Sequence, residues 1–236
     1  MESPVLFDVD HKVAVVTLNR PERRNAINQA LLTGLYDALE KIQGSEDIRA
    51  GVITGNGKSF CAGIDLTALG SENLFDPRGD GKDLMAHFTG CTKPLIGAVN
   101  GHAITGGFEI ALNCDFLIAS ENASFADTHA KVGIHPGWGM TQLLQQAVGR
   151  RRACQMSYTC EFITAQRAYD WGLVNEVVSA ALLVPRAVHL ARCMAGVNPD
   201  ILRQMKNLIE ARDRTTMEAA LTLERQGFNA FIDGQT

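Results

Sequence analysis

Four short apolar stretches, rich in β-branched residues, constrain what this chain can fold into. They are VAVVTLN (13–19), RAGVITG (49–55), KPLIGAVNG (93–101) and DFLIAS (115–120). Their length and composition read as strands. Between the first two, NQALLTGLYDALEKIQ (28–43) sets apolar residues at 31, 32, 35, 39 and 42, the spacing of one helical face. Strands alternating with helices predict an α/β fold. From about residue 139 helical patterns dominate. The expected organisation is therefore an α/β core over 1–138 and a helical region over 139–236. Within the latter, Thr164 suits the N-cap of a short helix that Gly172 ends, and Asn198 and Pro199 suit an N-cap and a first helical position. Residues 67–83, TALGSENLFDPRGDGKD, are polar and rich in Gly and Asp. They read either as a mobile loop over a site or as a surface excursion.

Composition removes several function classes. With 46% hydrophobic and 20% charged residues and a net charge of −4, the chain lacks the basic character of a nucleic-acid-binding protein. The runs RPERR (20–24) and GRRR (149–152) read as solvated faces, either able to hold a phosphate. No apolar run approaches the roughly 18 residues of a membrane span. The opening MESPVLFDVDHKV is acidic and without the layout of a signal peptide, so a cytoplasmic location is expected. The six cysteines show no C-x-x-C pairing and read as reduced core residues. His129 and His135 are six apart, the wrong spacing for a helical metal pair, so no metal site is expected. GNGKS (55–59) fails as a phosphate loop, because Val52 stands where its first glycine belongs. The dinucleotide fingerprint and the Ser nucleophile elbow are absent.

One segment carries a contradiction. HAITGGFEIAL (102–112) opens a helix with two glycines and places a carboxylate one turn in. Glycine costs about 1 kcal/mol in a helix relative to alanine, and an unpartnered Glu is rare in apolar surroundings. With Thr105 as N-cap, Gly106 is the first helical residue, and its N–H is an orphan donor at the positive end of the dipole. A ligand oxygen can approach it closely, because no side chain intervenes. Glu109 lies three residues on, its side chain leaning back toward the helix start. That arrangement supplies an oxyanion donor beside an acid/base. Alternatively, the glycines permit tight helix–strand packing and Glu109 only favours the dipole.

Further segments bear on the choice: RPERRNAIN (20–28), KSFCAGIDL (58–66), AVNGHAITGGFEIALNCDFLIAS (98–120), FADTHAKVGIHPGWG (125–139) and AQRAYDWGLVNEVV (165–178). In this order they resemble the enoyl-CoA hydratase/isomerase (crotonase) superfamily from about residue 5 to 231. The resemblance implies a crotonase-like spiral of β-β-α turns forming two nearly perpendicular sheets, then a helical C-terminal region used in assembly of a homotrimer or a hexamer (a dimer of trimers). It implies an acyl-CoA or enoyl-CoA thioester as substrate, coenzyme A being part of that substrate and no separate cofactor being needed. By position, the N–H groups of Ile64 and Gly106 form the hole for the thioester oxygen, and Glu109 is the acid/base. The Ala62 carbonyl recognises adenine, and Arg23 and Arg24 lie near the CoA phosphates. The remaining substrate contacts fall to Ala26, Gly63, Asp65, Leu66, Pro136 and Gly137.

The chain departs from the pattern at one place. Typical hydratases carry a second Glu where this sequence has His129, with Asp127 two residues earlier. If that segment is extended, both side chains point to the same side. The second role in gripping a water falls to His129, to Asp127 or to neither. A neutral His129, with a reference pKa near ~6.5, would accept a water proton. Isomerase, lyase and decarboxylase chemistry, or a non-catalytic acyl-CoA-binding subunit, are the alternatives to hydration.

Overall fold

The computed structural model describes residues 3–234. The chain opens with the antiparallel pair β1 (Val5–Asp10) and β2 (Val13–Leu18), then α1 (Gln29–Gly44). Three turns of a spiral follow: β3 (Ala50–Gly55) and β4 (Ser59–Cys61) with α2 (Leu84–Gly90); β5 (Leu95–Val99) and β6 (His102–Ile104) with α3 (Gly106–Leu112); β7 (Phe116–Ser120) and β8 (Ser124–Ala126) with α4 (His129–Val132). Each turn adds one strand to each of two sheets. The larger sheet has the order β1-β2-β3-β5-β7-β10, its last strand β10 being Glu176–Val178, and the smaller β4-β6-β8-β9, with β9 at Ile163–Thr164. After α5 (Met140–Val148) and α6 (Arg150–Thr159) come β9 (Ile163–Thr164), α7 (Ala165–Asp170), β10 (Glu176–Val178) and α8 (Leu183–Ala195).

The four anticipated strands are β2, β3, β5 and β7, the inner strands of the larger sheet. Central parallel strands are covered on both faces, so they read as continuous apolar runs. Along β3, Ile53 enters the main core while Val52 joins Val13, Ile96, Ala98 and Ile118 under Leu183, Ala187 and Ala191 of α8. On α1 the predicted stripe Leu31, Leu32, Leu35, Leu39 and Ile42 is buried, each such side chain contributing about 1.5–3 kcal/mol. The strands of the smaller sheet were not anticipated. They run only two or three residues, too few for a periodicity to register.

Two asparagine amides, buried at Asn25 and half-buried at Asn100, fasten the corners where the chain passes from one sheet to the other. The Asn25 amide donates to the carbonyls of Asn56, Ser59 and Phe60, and Asn100 both accepts from Gly55 N–H and donates to Ser59 O. Backbone groups that no strand ladder serves are thereby satisfied.

By compactness the chain divides at Ala195/Gly196. Helices α5 to α8 belong to the first unit because Met140, Leu144, Val148, Ala153, Met156 and Leu183 complete its core. The second unit holds α9 (Pro199–Arg212) and α10 (Met217–Asp233). The expected caps form: Thr164 accepts from Arg167 N–H, and Asn198 from the N–H groups of Asp200 and Ile201.

Helix α3 meets β4 at backbone distance. A Cβ on Gly107 would stand 2.2 Å from the Cys61 carbonyl oxygen and 2.6 Å from the Cys61 Cβ. The second glycine of the pair is therefore a packing residue. Gly107→Ala is expected to lose at least about 1–3 kcal/mol, the usual cost of overpacking, as read from the urea midpoint at unchanged m-value.

Candidate active site

The sites implied by sequence converge. An isolated parallel bridge joins Ile27 to Ile64, with Ile27 N–H donating to Gly63 O and Asp65 N–H to Ile27 O (both 2.8 Å). Ala62 N–H donates to Arg24 O, which ties the basic run to the same loop. The side chains of Arg23 and Arg24 stand at the exposed surface. Gly63 adopts φ +91°, and a Cβ there would lie 2.9 Å from Ile104 O and 3.6 Å from Gly106 N. Only glycine lets the two loops close to this distance. Ile64 and Gly106 are thereby neighbours. Neither N–H donates a hydrogen bond among the described residues.

Thr105 does not cap α3 with its side chain. Its backbone is at φ 52°, ψ −117°, a region that costs a non-glycine residue about 1–3 kcal/mol. That turn diverts the hydroxyl to Thr128 Oγ1 at 2.5 Å, which couples α3 to the end of β8. The absent side chain of Gly106 faces Ile27 and Trp138, whose nearest atoms would stand 3.1 and 3.2 Å from a Cβ. Gly107 thus serves packing, while Gly106 is packed and also leaves its N–H open.

Glu109 is 1% exposed. Its Oε1 accepts from Trp138 N–H (2.9 Å) and Met140 N–H (3.1 Å). The carboxylate thus sits at the N-terminus of α5, where orphan donors and the dipole favour negative charge. Two N–H donors replace the water that burial removes. Asn113, one turn further along α3, holds the same loop by donating to Trp138 O at 3.0 Å. Trp138, Met140 and Asn113 were not singled out from sequence. Two act through their backbone, which leaves no residue-type signal, though Asn113 lies at helical spacing from Glu109.

The second oxygen of Glu109 faces His129. Oε2 lies 3.6 Å from Nε2, and Nδ1 on the opposite side of the ring lies 2.7 Å from Asp127 Oδ1. The segment is not extended. Thr128 has φ −108°, ψ 16°, α4 begins at His129, and the His129 N–H returns to Asp127 Oδ1 at 3.2 Å. Asp127 and His129 thus meet through a tight turn and not through strand alternation. Burial disfavours the charged ring, but the hydrogen bonds and charges of Asp127 and Glu109 overcome it and raise its pKa to about 9. Burial likewise pushes the Asp127 carboxyl up, but hydrogen bonds from His129 and Ser157 outweigh it and hold it below the usual range. Of the two directions open from sequence, the local acids pull the ring toward its protonated form, which weakens the case for His129 as a proton acceptor at neutral pH.

Other anticipated residues are placed as follows. Asp65 is committed to structure, accepting from Thr67 and pairing with Arg20 at 3.1 Å. The Thr67 hydrogen bond chiefly, with Arg20, keeps its carboxyl below the ordinary value despite burial. Arg20 also donates to Ala26 O. Leu66 is exposed. Pro136 O accepts from His135, and Gly137 leaves room for Phe75, whose ring would approach a Cβ there to 3.1 Å. Phe75 belongs to the 67–83 segment and lies 5.6 Å, ring to ring, from Trp138. That segment is strapped to α1: Glu72 accepts from Gln29 N–H, Gln29 donates to Pro77 O, and Arg78 pairs with Asp37 and Glu40. Among the described residues no single helix is long and apolar enough to cross a membrane.

Two open N–H donors beside a buried carboxylate define a site that stabilises a carbonyl-derived anion while moving a proton. Comparison with known proteins agrees. A family profile described as enoyl-CoA hydratase/isomerase matches residues 8–236. The chain is 39% identical to the 2,3-dehydroadipyl-CoA hydratase of Escherichia coli, covering 96% of this chain and 89% of that one. It is 37% identical to the probable peroxisomal enoyl-CoA hydratase 1 of Arabidopsis thaliana, over 95% and 84%. The crystal structure of an enoyl-CoA hydratase from Bacillus anthracis superposes with a TM-score of 0.89 at 33% identity, covering 98% and 91%. The chain belongs to the enoyl-CoA hydratase/isomerase family.

The His129 charge has a consequence for stability. A pKa raised in the folded state contributes stability that is full below the unfolded value near ~6.5 and is lost as pH rises through about 9. The melting temperature of the wild type should fall between pH 7 and 10 more steeply than that of His129→Gln.

Proposed function

We propose that the protein hydrates enoyl-CoA thioesters, with Glu109 as the acid/base. The observation that carries this reading is the Glu109 carboxylate, anchored through Oε1 on Trp138 and Met140 while Oε2 stays available. The Ile64 and Gly106 N–H groups take the thioester oxygen as negative charge develops on it. Each such donor is worth roughly 3–4 kcal/mol in the transition state of comparable reactions. Arg23 and Arg24 meet the CoA phosphates, and the Ala62 carbonyl meets the adenine. Phe75 and Trp138 bound the acyl side. The chemistry runs on these groups with no separate cofactor.

Double-bond isomerisation is the second reading, favoured by a donor–acceptor pair at His129 and Glu109 that can move a proton without adding water. The two separate cleanly. Hydration of crotonyl-CoA or longer 2-enoyl-CoAs removes the conjugated thioester absorbance, whereas isomerisation of a 3-enoyl-CoA creates it.

We assign the protein to a homotrimer or a dimer of trimers, supported by the apolar residues that α9 and α10 leave exposed: Met205, Ile209, Leu221, Leu223, Phe228 and Phe231. A cytoplasmic location is proposed from six cysteines that no disulfide joins.

Glu109→Gln keeps an oxygen to accept the Trp138 and Met140 N–H groups but cannot carry a proton. Turnover of crotonyl-CoA should fall more than about tenfold, a barrier change above ~1.4 kcal/mol, while CoA-ester binding and the melting temperature hold. Retained turnover would place the chemistry elsewhere. Light scattering at micromolar concentration should return the mass of three or six chains, and a monomer mass would refute the assembly.

A further inference from the structure

His129 stands where a two-carboxylate site has a second acceptor, yet each of its contacts makes it a donor. Its Nδ1 is 2.7 Å from Asp127 Oδ1, an oxygen that also receives the His129 backbone N–H. An ionised carboxylate only accepts, so Nδ1 carries a proton. Nε2 faces another carboxylate oxygen, Oε2 of Glu109, at 3.6 Å. With a hydrogen-bonded carboxylate at Nδ1 and a second carboxylate oxygen within ion-pair distance of Nε2, the surroundings of the ring favour the cation. Asp127 is itself buried, and the Ser157 hydroxyl of α6 hydrogen-bonds it. The charged groups acting on the ring are Glu109 from α3 and Asp127 from the end of β8.

We propose that Asp127 is a positioning residue that holds His129 as a cation with its Nε2–H presented to Glu109 and the adjoining substrate, so that one carboxylate base and one imidazolium acid replace two carboxylates. This rests on the hydratase reading above. Glu109 takes a proton from water as the water oxygen bonds to the β carbon. As that bond forms, the Cα–Cβ π electrons shift through the carbonyl onto the thioester oxygen, held by the Ile64 and Gly106 N–H groups. As the enolate collapses, the α carbon takes the Nε2 proton, which leaves His129 neutral with Nδ1–H still on Asp127. Glu109, now a carboxylic acid, faces the bare Nε2 across the same gap and returns the proton. One water is consumed, both of its hydrogens are accounted for, and the two residues end as they began. The mutual approach of Glu109 and His129 is what permits that internal return.

The test reads the ring's charge first, without substrate. In ¹⁵N-labelled wild type, the His129 ring signals, assigned by their loss in His129→Gln, should report a doubly protonated ring at pH 7. In Asp127→Asn the ring should titrate at a pH lower by about one unit or more. The alkaline limb of crotonyl-CoA turnover should move down with it. At pH 9, above the lowered titration point, kcat should drop several-fold with KM little changed, and Asp127→Glu should restore part of the rate. A ring already neutral at pH 7 in the wild type overturns the proposal, and so does an Asp127→Asn profile that stays in place. The wild-type titration decides alone if Asp127→Asn does not fold. If no enoyl-CoA is hydrated while the ring titrates high in wild type and lower in Asp127→Asn, the positioning role stands and the hydratase reading falls.

Discussion

A negative charge buried at Glu109 is the constraint on which the site depends. An unpaired carboxylate in a protein interior is strongly disfavoured, so the surrounding chain must supply partners. It does so by bringing the N-terminus of α5 onto Oε1, through Trp138 and Met140. That contact fixes where α5 begins relative to α3, and Asn113 reinforces it by holding Trp138 O. It also leaves Oε2 facing His129, with Asp127 behind. One carboxylate thus serves as a helix cap with one oxygen and is left for chemistry with the other.

The two open N–H groups depend on a different physical term, excluded volume. Ile64 and Gly106 are neighbours because Gly63 and Gly107 remove the Cβ atoms that would hold the loop after β4 away from α3. The strained turn at Thr105 belongs to the same arrangement. It is held by the Thr128 hydroxyl and by Thr105 N–H donating to Ala126 O. Strain of this kind persists only where neighbouring contacts over-determine it. The donors, the carboxylate and the imidazolium therefore come from successive turns of one spiral, each turn placing its loop beside the last.

The pairing of opposite charges at Glu109 and His129 alters what a second acid/base group can contribute. Two carboxylates in contact share a proton because both cannot easily be ionised. A carboxylate beside an imidazolium likewise holds one transferable proton, with donor and acceptor assigned to different residues at the start of each cycle. The 67–83 segment, which sets Phe75 beside Trp138, is held by ion pairs and hydrogen bonds to α1. Its place over Trp138 is thus tied to the core.

Local pattern was enough to read the inner strands, the buried face of α1, the caps at Thr164 and Asn198, and the order of the motif segments. These depend on short-range spacing or on residue types required at one backbone position. The pair Gly106 and Glu109 was likewise legible, since glycine at a helix start beside a carboxylate is locally costly and implies compensation. The two- and three-residue strands, the division at Ala195/Gly196 and the Trp138 and Met140 donors were decided by tertiary structure. None leaves a residue-type signature, because backbone groups and interhelical packing carry them. The charge of His129 belongs with these. A lone imidazole near its reference pKa is ambiguous, and only the fold, by setting Asp127 and Glu109 on opposite sides of the ring, draws its pKa upward.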